Sequence, residues 1–424
     1  MKIEITITPN YVPDWSLFEG VREFLQNAKD GETEHSSSFK VEHNKKTLKI
    51  TNKDITLPKE SLLIGYTSKH SPELLGKFGE GMKLGALALV RAGYEVKITN
   101  GDEIWIPSLQ KSKSFSSDVL IFSTRKLPNP KKDFIVEIYG ISSSEWAVMK
   151  KNYLFITPPG EKLISRSGEI LLSEEYKGKV FLKGIYVETT ELSYGYNLYQ
   201  GEVDRDRKMM RRFNLYWEIS NLWAANITDN LEIVEDLLKN DSSEVKNIDT
   251  FLFPDDFSLL ADSFKSKYGS NAYPVYSEDS FRQLQVLNGN PIRLNENYTD
   301  CLRRALPSFA DYLSSLAQAP TKFYNDDELS EKELMLIAQI YNLAAKVISV
   351  PHYYIVDFAD PDVSGQRRDG EIYISKKCLS DKSDLIATFV HESCHLFGGD
   401  LSQTFHQIVE QTLAQIICNL MEEL

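Results

Sequence analysis

Two short stretches hold the residues best suited to chemistry. Near the C-terminus, FVHESCHLFGGD at 389–400 contains His391, Glu392 and His395. On a helix, two histidines four positions apart lie one turn apart on one face, so two imidazoles can hold one metal ion. Glu392 stands beside them as a general base for a water, and zinc is the metal this pattern suggests. Zinc needs a third protein ligand, and three candidates follow in sequence: Asp400, His406 and Glu410. His406 is favoured, because imidazole is the more usual zinc ligand. The run DLSQ starting at Asp400 also reads as a helix cap with Gln403 at the third helical position. The alternative is a structural histidine pair satisfied by neighbouring carboxylates, with Cys394 packed inward.

The other stretch is EFLQNAKD, where Glu23, Asn27 and Asp30 recur at i, i+4 and i+7. They share one helical face beside an apolar stripe of Phe18, Val21, Leu25 and Ala28. A carboxylate and an amide so placed could activate a water and hold a metal ion; a solvated polar face is the alternative. About 50 residues on, GYTSKHSPELLGKFGEGMKLG brings Gly76, Gly79, Gly81 and Gly85 into the start of a helix. Glycines let backbone amides approach an anion, and a helix N-terminus offers unpaired N–H groups, which together predict a phosphate site.

In this order, ExxxNAxD and GKFGEGMKLG resemble the two motifs of the Bergerat-fold ATPases, the superfamily of gyrase, the ninety-kilodalton heat-shock chaperone, histidine kinases and MutL. The resemblance covers about residues 1–150. It implies ATP and magnesium as cofactors, with Glu23 as the general base and Asn27 as a magnesium ligand. Asp30 would support the nucleotide side of the pocket. Gly76, Lys77, Phe78, Gly79 and Gly81 would belong to a lid over ATP, and Lys69, Lys77 and Lys83 are candidate phosphate contacts. Where the family has DxGxG this chain reads NKDIT, so Asn52 takes the aspartate's place as adenine reader, with Asp54 a neighbouring substitute. The following β-rich region, containing KVFLKGIYV, looks like the transducer domain of the gyrase and MutL branch, with Lys183 a candidate γ-phosphate contact. The last stretch, 331–424, resembles minimal zincin metallopeptidases of the HExxH class. There GEIYIS, residues 370–375, is expected to be the edge strand that takes an extended peptide.

These motifs need elements to position them. A strand at KIEITITP precedes a helix from about Trp15, with Asp14 its expected N-cap. A second helix spans about Met82 to Ala92 and ends at Gly93. Short strands fill 94–190, a helix is expected near 206–225 and another near 298–316. After the acidic run NDDELSEKE come a helix over 331–348, strands at HYYIVDF and GEIYIS, and two final helices. The expected fold class is multidomain α+β: a Bergerat α/β sandwich over 1–150, a transducer-like β/α domain over 151–250, a helical connector over 251–330 and a zincin-like domain over 331–424.

Composition narrows the partners. A net charge of −13 over 424 residues disfavours a nucleic-acid surface, and the one basic cluster, DRDRKMMRR at 204–212, is interleaved with acids. Four scattered cysteines, Cys301, Cys378, Cys394 and Cys418, fit neither a disulfide framework nor a cysteine-rich zinc module. No apolar run near 20 residues and no leader pattern is present, so a cytoplasmic protein without a membrane partner is expected. The functional expectation is an ATPase whose nucleotide-dependent change or homodimerisation regulates a zinc peptidase acting on a protein or peptide. The alternative is a MutL-like or chaperone-like clamp whose C-terminal domain no longer cleaves.

Overall fold

The computed structural model describes residues 1–66, 80–201, 212–399 and 402–422. The architecture is mixed α and β in several sheets, and the chain divides into two compact units, Met1–Leu222 and Trp223–Leu424. Among the described residues no helix is long and apolar enough to cross a membrane.

The first unit opens with β1 (Lys2–Ile5), α1 (Leu17–His35), β2 (Phe39–Asn44), β3 (Thr47–Asn52) and α2 (Gly81–Arg91). It continues through β4 (Glu95–Asn100), β5 (Glu103–Lys111), β6 (Asp118–Lys126), β7 (Phe134–Tyr139) and α3 (Ser143–Met149). The seven strands form one sheet in the order β1-β6-β5-β4-β7-β3-β2, with antiparallel pairing throughout. Alternation along the central strands sends Leu48, Ile50, Val96, Ile98, Val136 and Ile138 into one core with Val21, Phe24, Leu25 and Ala28 of α1. From α2, Ala86, Leu87 and Leu89 enter the same core.

Two expectations change at the ends of α1 and α2. The N-cap of α1 is Ser16, not Asp14: Glu19 turns back to accept from the Ser16 amide and hydroxyl, each at 2.7 Å. The α2 helix starts one residue earlier than expected, at Gly81, and Gly93 adopts the left-handed φ of 88° expected of a glycine just past a helix end.

A second sheet follows in the same unit, built from β8 (Lys162–Ile164), β9 (Gly168–Leu171), β10 (Lys179–Leu182), β11 (Ile185–Thr189) and β12 (Gly195–Leu198) in the order β11-β10-β12-β9-β8. Tyr153, fully buried, bridges to Ile185 and so ties this sheet to the core beneath α1. The helix α4 (Arg212–Ala224) runs across the division between the units.

The second unit begins with α5 (Leu231–Lys239), α6 (Pro254–Tyr268), β13 (Ala272–Val275), α7 (Glu278–Val286), β14 (Asn290–Arg293), α8 (Glu296–Arg303) and α9 (Phe309–Ala317). The strands β13 and β14 pair in parallel, with α7 as the crossover. The single helix expected near 298–316 is two, because Pro307 lacks an amide proton and biases its predecessor away from helix; Ser308 then caps α9.

The unit ends with β15 (Pro320–Tyr324), α10 (Glu331–Ala345), β16 (Tyr353–Phe358), β17 (Gly365–Arg368), β18 (Glu371–Ser375), α11 (Lys382–Cys394) and α12 (Gln403–Glu422). Their sheet runs β15-β16-β18-β17, so GEIYIS is an interior strand and not the expected edge. The edge beside it is β17, antiparallel to β18, and the β17 sequence GQRR carries no apolar alternation to reveal it. Ile355, Ile372 and Ile374 on one face of this sheet pack with Leu385 and Phe389 of α11 and Phe405 of α12.

Candidate functional site

In the first unit the polar face of α1 is built by a close crossing of two helices. A Cβ added to Gly20 would lie 2.6 Å from Leu89 Cγ, and one added to Gly85 would lie 3.0 Å from the Gly20 carbonyl. Side chains larger than hydrogen would force α1 and α2 apart at these points. The approach carries Gly81, the first residue of α2, onto the polar face of α1: a Cβ there would fall 2.4 Å from Glu23 Oε2 and 3.7 Å from Asn27 Nδ2. Glu23, Asn27 and Gly81, read from two separate motifs, are therefore brought together.

The surroundings of this group are charged and buried. Glu23 is 1% exposed and Asp30 3%, while Asn27 is half-buried. The Arg22 guanidinium lies 3.3 Å from Glu23 Oε1 and stacks 5.2 Å over the Trp15 ring. Asn52, at the end of β3, is buried against α1 and donates from Nδ2 to the Ala28 carbonyl at 2.8 Å. Asp54 is different: it is exposed in a turn with φ of 52°, its amide donating to Asp133 Oδ1 at 3.2 Å. Of the two candidate adenine readers, only Asn52 lies in the core beside the α1 face.

The lysines fall into distinct settings. Lys83 is 1% exposed and its ammonium donates to the carbonyls of Ser61 at 2.9 Å and Leu63 at 2.8 Å. It thus ties α2 to the segment before it. Burial pulls the Lys83 pKa down to about 8, with Glu80 opposing the shift. Lys183 sits in the tight turn between β10 and β11 with φ of 51°, its amide donating to the Leu198 carbonyl at 2.8 Å. Gly184, next to it, donates to Asn197 Oδ1 at 2.8 Å, and Asn197 is held in turn by Glu169. Lys69, Gly76, Lys77, Phe78, Gly79 and Asp400 lie outside the described residues.

In the second unit the histidine pair is at the end of a helix. The last residue of α11 is Cys394, and His395 follows at the C-cap with φ of −59° and ψ of −8°, which preserves the one-turn spacing to His391. The two rings are 4.9 Å apart at 86°, and one donor atom from each of His391, Glu392 and His395 lies within 4.8 Å of the others. Glu392 is 6% exposed and its Oε2 is 3.8 Å from His395 Nε2. His395 Nδ1 is 3.1 Å from the Gly398 carbonyl. Donating there fixes the tautomer that leaves the Nε2 lone pair free, the arrangement a metal-binding imidazole needs.

His406 does not join this set. It is exposed on α12, as is Glu410, and the inward position is taken by Phe405, 1% exposed. The Phe405 ring stacks on His395 with centroids 4.6 Å apart and meets His391 edge-on at 5.0 Å. Burying phenyl is favourable and burying imidazole is not, and one residue further along a helix points about 100° away. Among the described residues, two imidazoles and one carboxylate are what converge, a donor set of the chemistry zinc takes but one ligand short if Glu392 is kept as a base.

Sequence reading missed β17, which roofs this site. A Cβ on Gly365 would fall 2.5 Å from Thr388 Cγ2 and 2.8 Å from Glu392 Cγ, so the strand crosses α11 with no side chain between. Arg367, two residues on, donates to the Ser393 carbonyl at 3.2 Å. Gly365, the first glycine of SGQRRDG, was the available signal, since glycine in a strand marks close backbone approach.

No family model matches the chain. It is similar to an uncharacterized protein of Mycoplasma pneumoniae (strain ATCC 29342 / M129), 24% identical over 240 residues that cover 51% of this chain and 94% of that protein.

Proposed function

We propose that the chain is an ATPase of the Bergerat type whose nucleotide-dependent conformational change or homodimerisation regulates a C-terminal zinc-dependent peptidase. The observation that carries the peptidase half is the convergence of His391, Glu392 and His395 under an edge strand, β17. Zinc would supply Lewis acidity there. His391 and His395 would hold it, with the His395 ring oriented by the Gly398 carbonyl. Glu392, buried and directed at the same space, would take a proton from the attacking water. The outer edge of β17, unpaired among the described residues, would align an extended peptide by main-chain hydrogen bonds.

The ATPase half is supported by Glu23 and Asn27 meeting the glycine-opened start of α2. Glu23 would orient and deprotonate the attacking water, with the Arg22 guanidinium 3.3 Å from its carboxylate. Asn27 would hold magnesium, which would supply positive charge against the phosphates, and the α2 N-terminus would face phosphate oxygens. Asn52 would read adenine through its carbonyl oxygen, its amide group being given to Ala28.

A second reading, an ATP-driven clamp with a non-catalytic C-terminal domain, is favoured by one observation: among the described residues no third imidazole or carboxylate ligand accompanies Glu392 and the histidine pair. Metal analysis of the purified chain, combined with a peptide-library digest in the presence of ATP and zinc, separates the two. One zinc per chain with cleavage supports the peptidase; no stoichiometric zinc and an untouched library leave the clamp.

A further inference from the structure

The face of α11 that presents His391 continues away from the histidines. Asp384, Ala387, Thr388 and His391 stand at i, i+3, i+4 and i+7, and so share one side of the helix. Beside the first three opens a cavity of about 540 Å³, lined also by Ser364, Lys377 and Ser380. Ser364 leads directly into β17, so the cavity and the strand that roofs the histidines share a wall.

The cavity carries one charge of each sign, and the two differ in their partners. Lys377 gives its ammonium to the Pro361 carbonyl at 2.5 Å. The carboxylate of Asp384 is exposed and has no hydrogen-bond or ion-pair partner among the described residues. Ala387, exposed beside Asp384, adds only a methyl group to the cavity wall. Beyond β18, the outer edge of β17 has no paired strand among the described residues. Its backbone groups therefore remain able to pair with an incoming strand.

From these features we infer that the cavity receives a cationic side chain, Lys or Arg, of an extended peptide laid along β17, with Asp384 as the residue that selects it. This rests on the peptidase reading of the neighbouring histidines and names its substrate class. Seven helical residues separate Asp384 from His391, a rise of about 10 Å. An extended chain covers that in about three residues. The basic side chain accordingly sits about three positions from the bond presented to His391 and Glu392. The net charge of −13 adds long-range attraction for such a peptide.

The test uses the full chain carrying Glu392→Gln, so that binding is read without turnover. Two pools of fluorescein-labelled peptides, matched except for Lys or Glu at one central position, are titrated and followed by anisotropy. The Lys pool should bind about fivefold more tightly, the size expected of a solvent-accessible charge pair. Adding Asp384→Lys should invert the order, and Asp384→Asn should level it, with circular dichroism checking that α11 stays folded. Equal affinities in the first protein, or a Lys preference that survives Asp384→Lys, overturns the inference. Cleavage by the chain with Glu392 intact is scored separately. Cleavage without a basic preference refutes the pocket and leaves the peptidase; a basic preference without cleavage refutes the peptidase and leaves the pocket.

Discussion

In the first unit a carboxylate is enclosed by packing, whereas in the second the reactive groups stand at a helix end beneath a single strand. Glu23 is reached from one side by the start of α2 and from the other by Arg22, and its position follows from a glycine-to-glycine helix crossing. His395 lies past the last residue of α11 and is held by a carbonyl three residues on and by the ring of Phe405. The first arrangement is set by the fold's own core. The second depends on a short segment and one aromatic contact, so its geometry is more easily lost or tuned.

Substitutions can break this contrast. The largest effect is expected from Glu392→Gln, which should lower peptide cleavage by about 10²–10⁴-fold while ATP turnover is unchanged, measured by a quenched-peptide assay and by phosphate release. Glu23→Gln should do the converse, reducing phosphate release by about 10²-fold or more with nucleotide binding retained by calorimetry. If either change impairs both activities equally, the two sites are not chemically separate.

Phe405→Ala should destabilise the second unit by about 3–5 kcal/mol in urea unfolding and loosen metal retention, because a fully buried ring and the wall of both histidines go together. A smaller, pH-dependent effect belongs to Lys83. Its folded pKa, about 8, lies below the ordinary lysine value of 10.5, so between those values the unfolded chain binds more protons than the folded one. The cost of burying the ammonium is present below pH 8 and is relieved as pH rises toward 10.5. Relative to Lys83→Met, the native protein should gain stability over that window by at most about 1.4 kcal/mol per pH unit, read by denaturant titration at several pH values. The smallest effect is expected from His406→Ala, which should leave zinc stoichiometry unchanged, in contrast to His391→Ala. A loss of zinc on His406→Ala would mean that α12 turns inward when the metal binds.

Much of the scaffold was legible because it depends on local pattern. The apolar stripe of α1, the Gly93 stop after α2, and the strands at HYYIVDF and GEIYIS follow from periodicity and from residues with one strong conformational preference. The polar strand β17 was not legible, since it is defined by its partner β18 and by the backbone contact at Gly365. Nor was the division of roles among lysines. Lys69, Lys77, Lys83 and Lys183 look alike as residue types, yet Lys83 is enclosed and bonded to two carbonyls while Lys183 is carried in a left-handed turn.

What the sequence alone determined is the presence and spacing of the candidate groups: His391 and His395 one turn apart with Glu392 between, and Glu23, Asn27 and Asp30 on one helical face. Helical geometry fixes those relations wherever the helix lies. Tertiary structure decided which distant residues meet them. Gly81 reaches Glu23 because two glycines let α1 and α2 touch, and Phe405, in preference to His406, faces the histidines because a buried phenyl costs less than a buried imidazole. Such choices are settled by competition for space and solvation in the packed core, which no local pattern encodes.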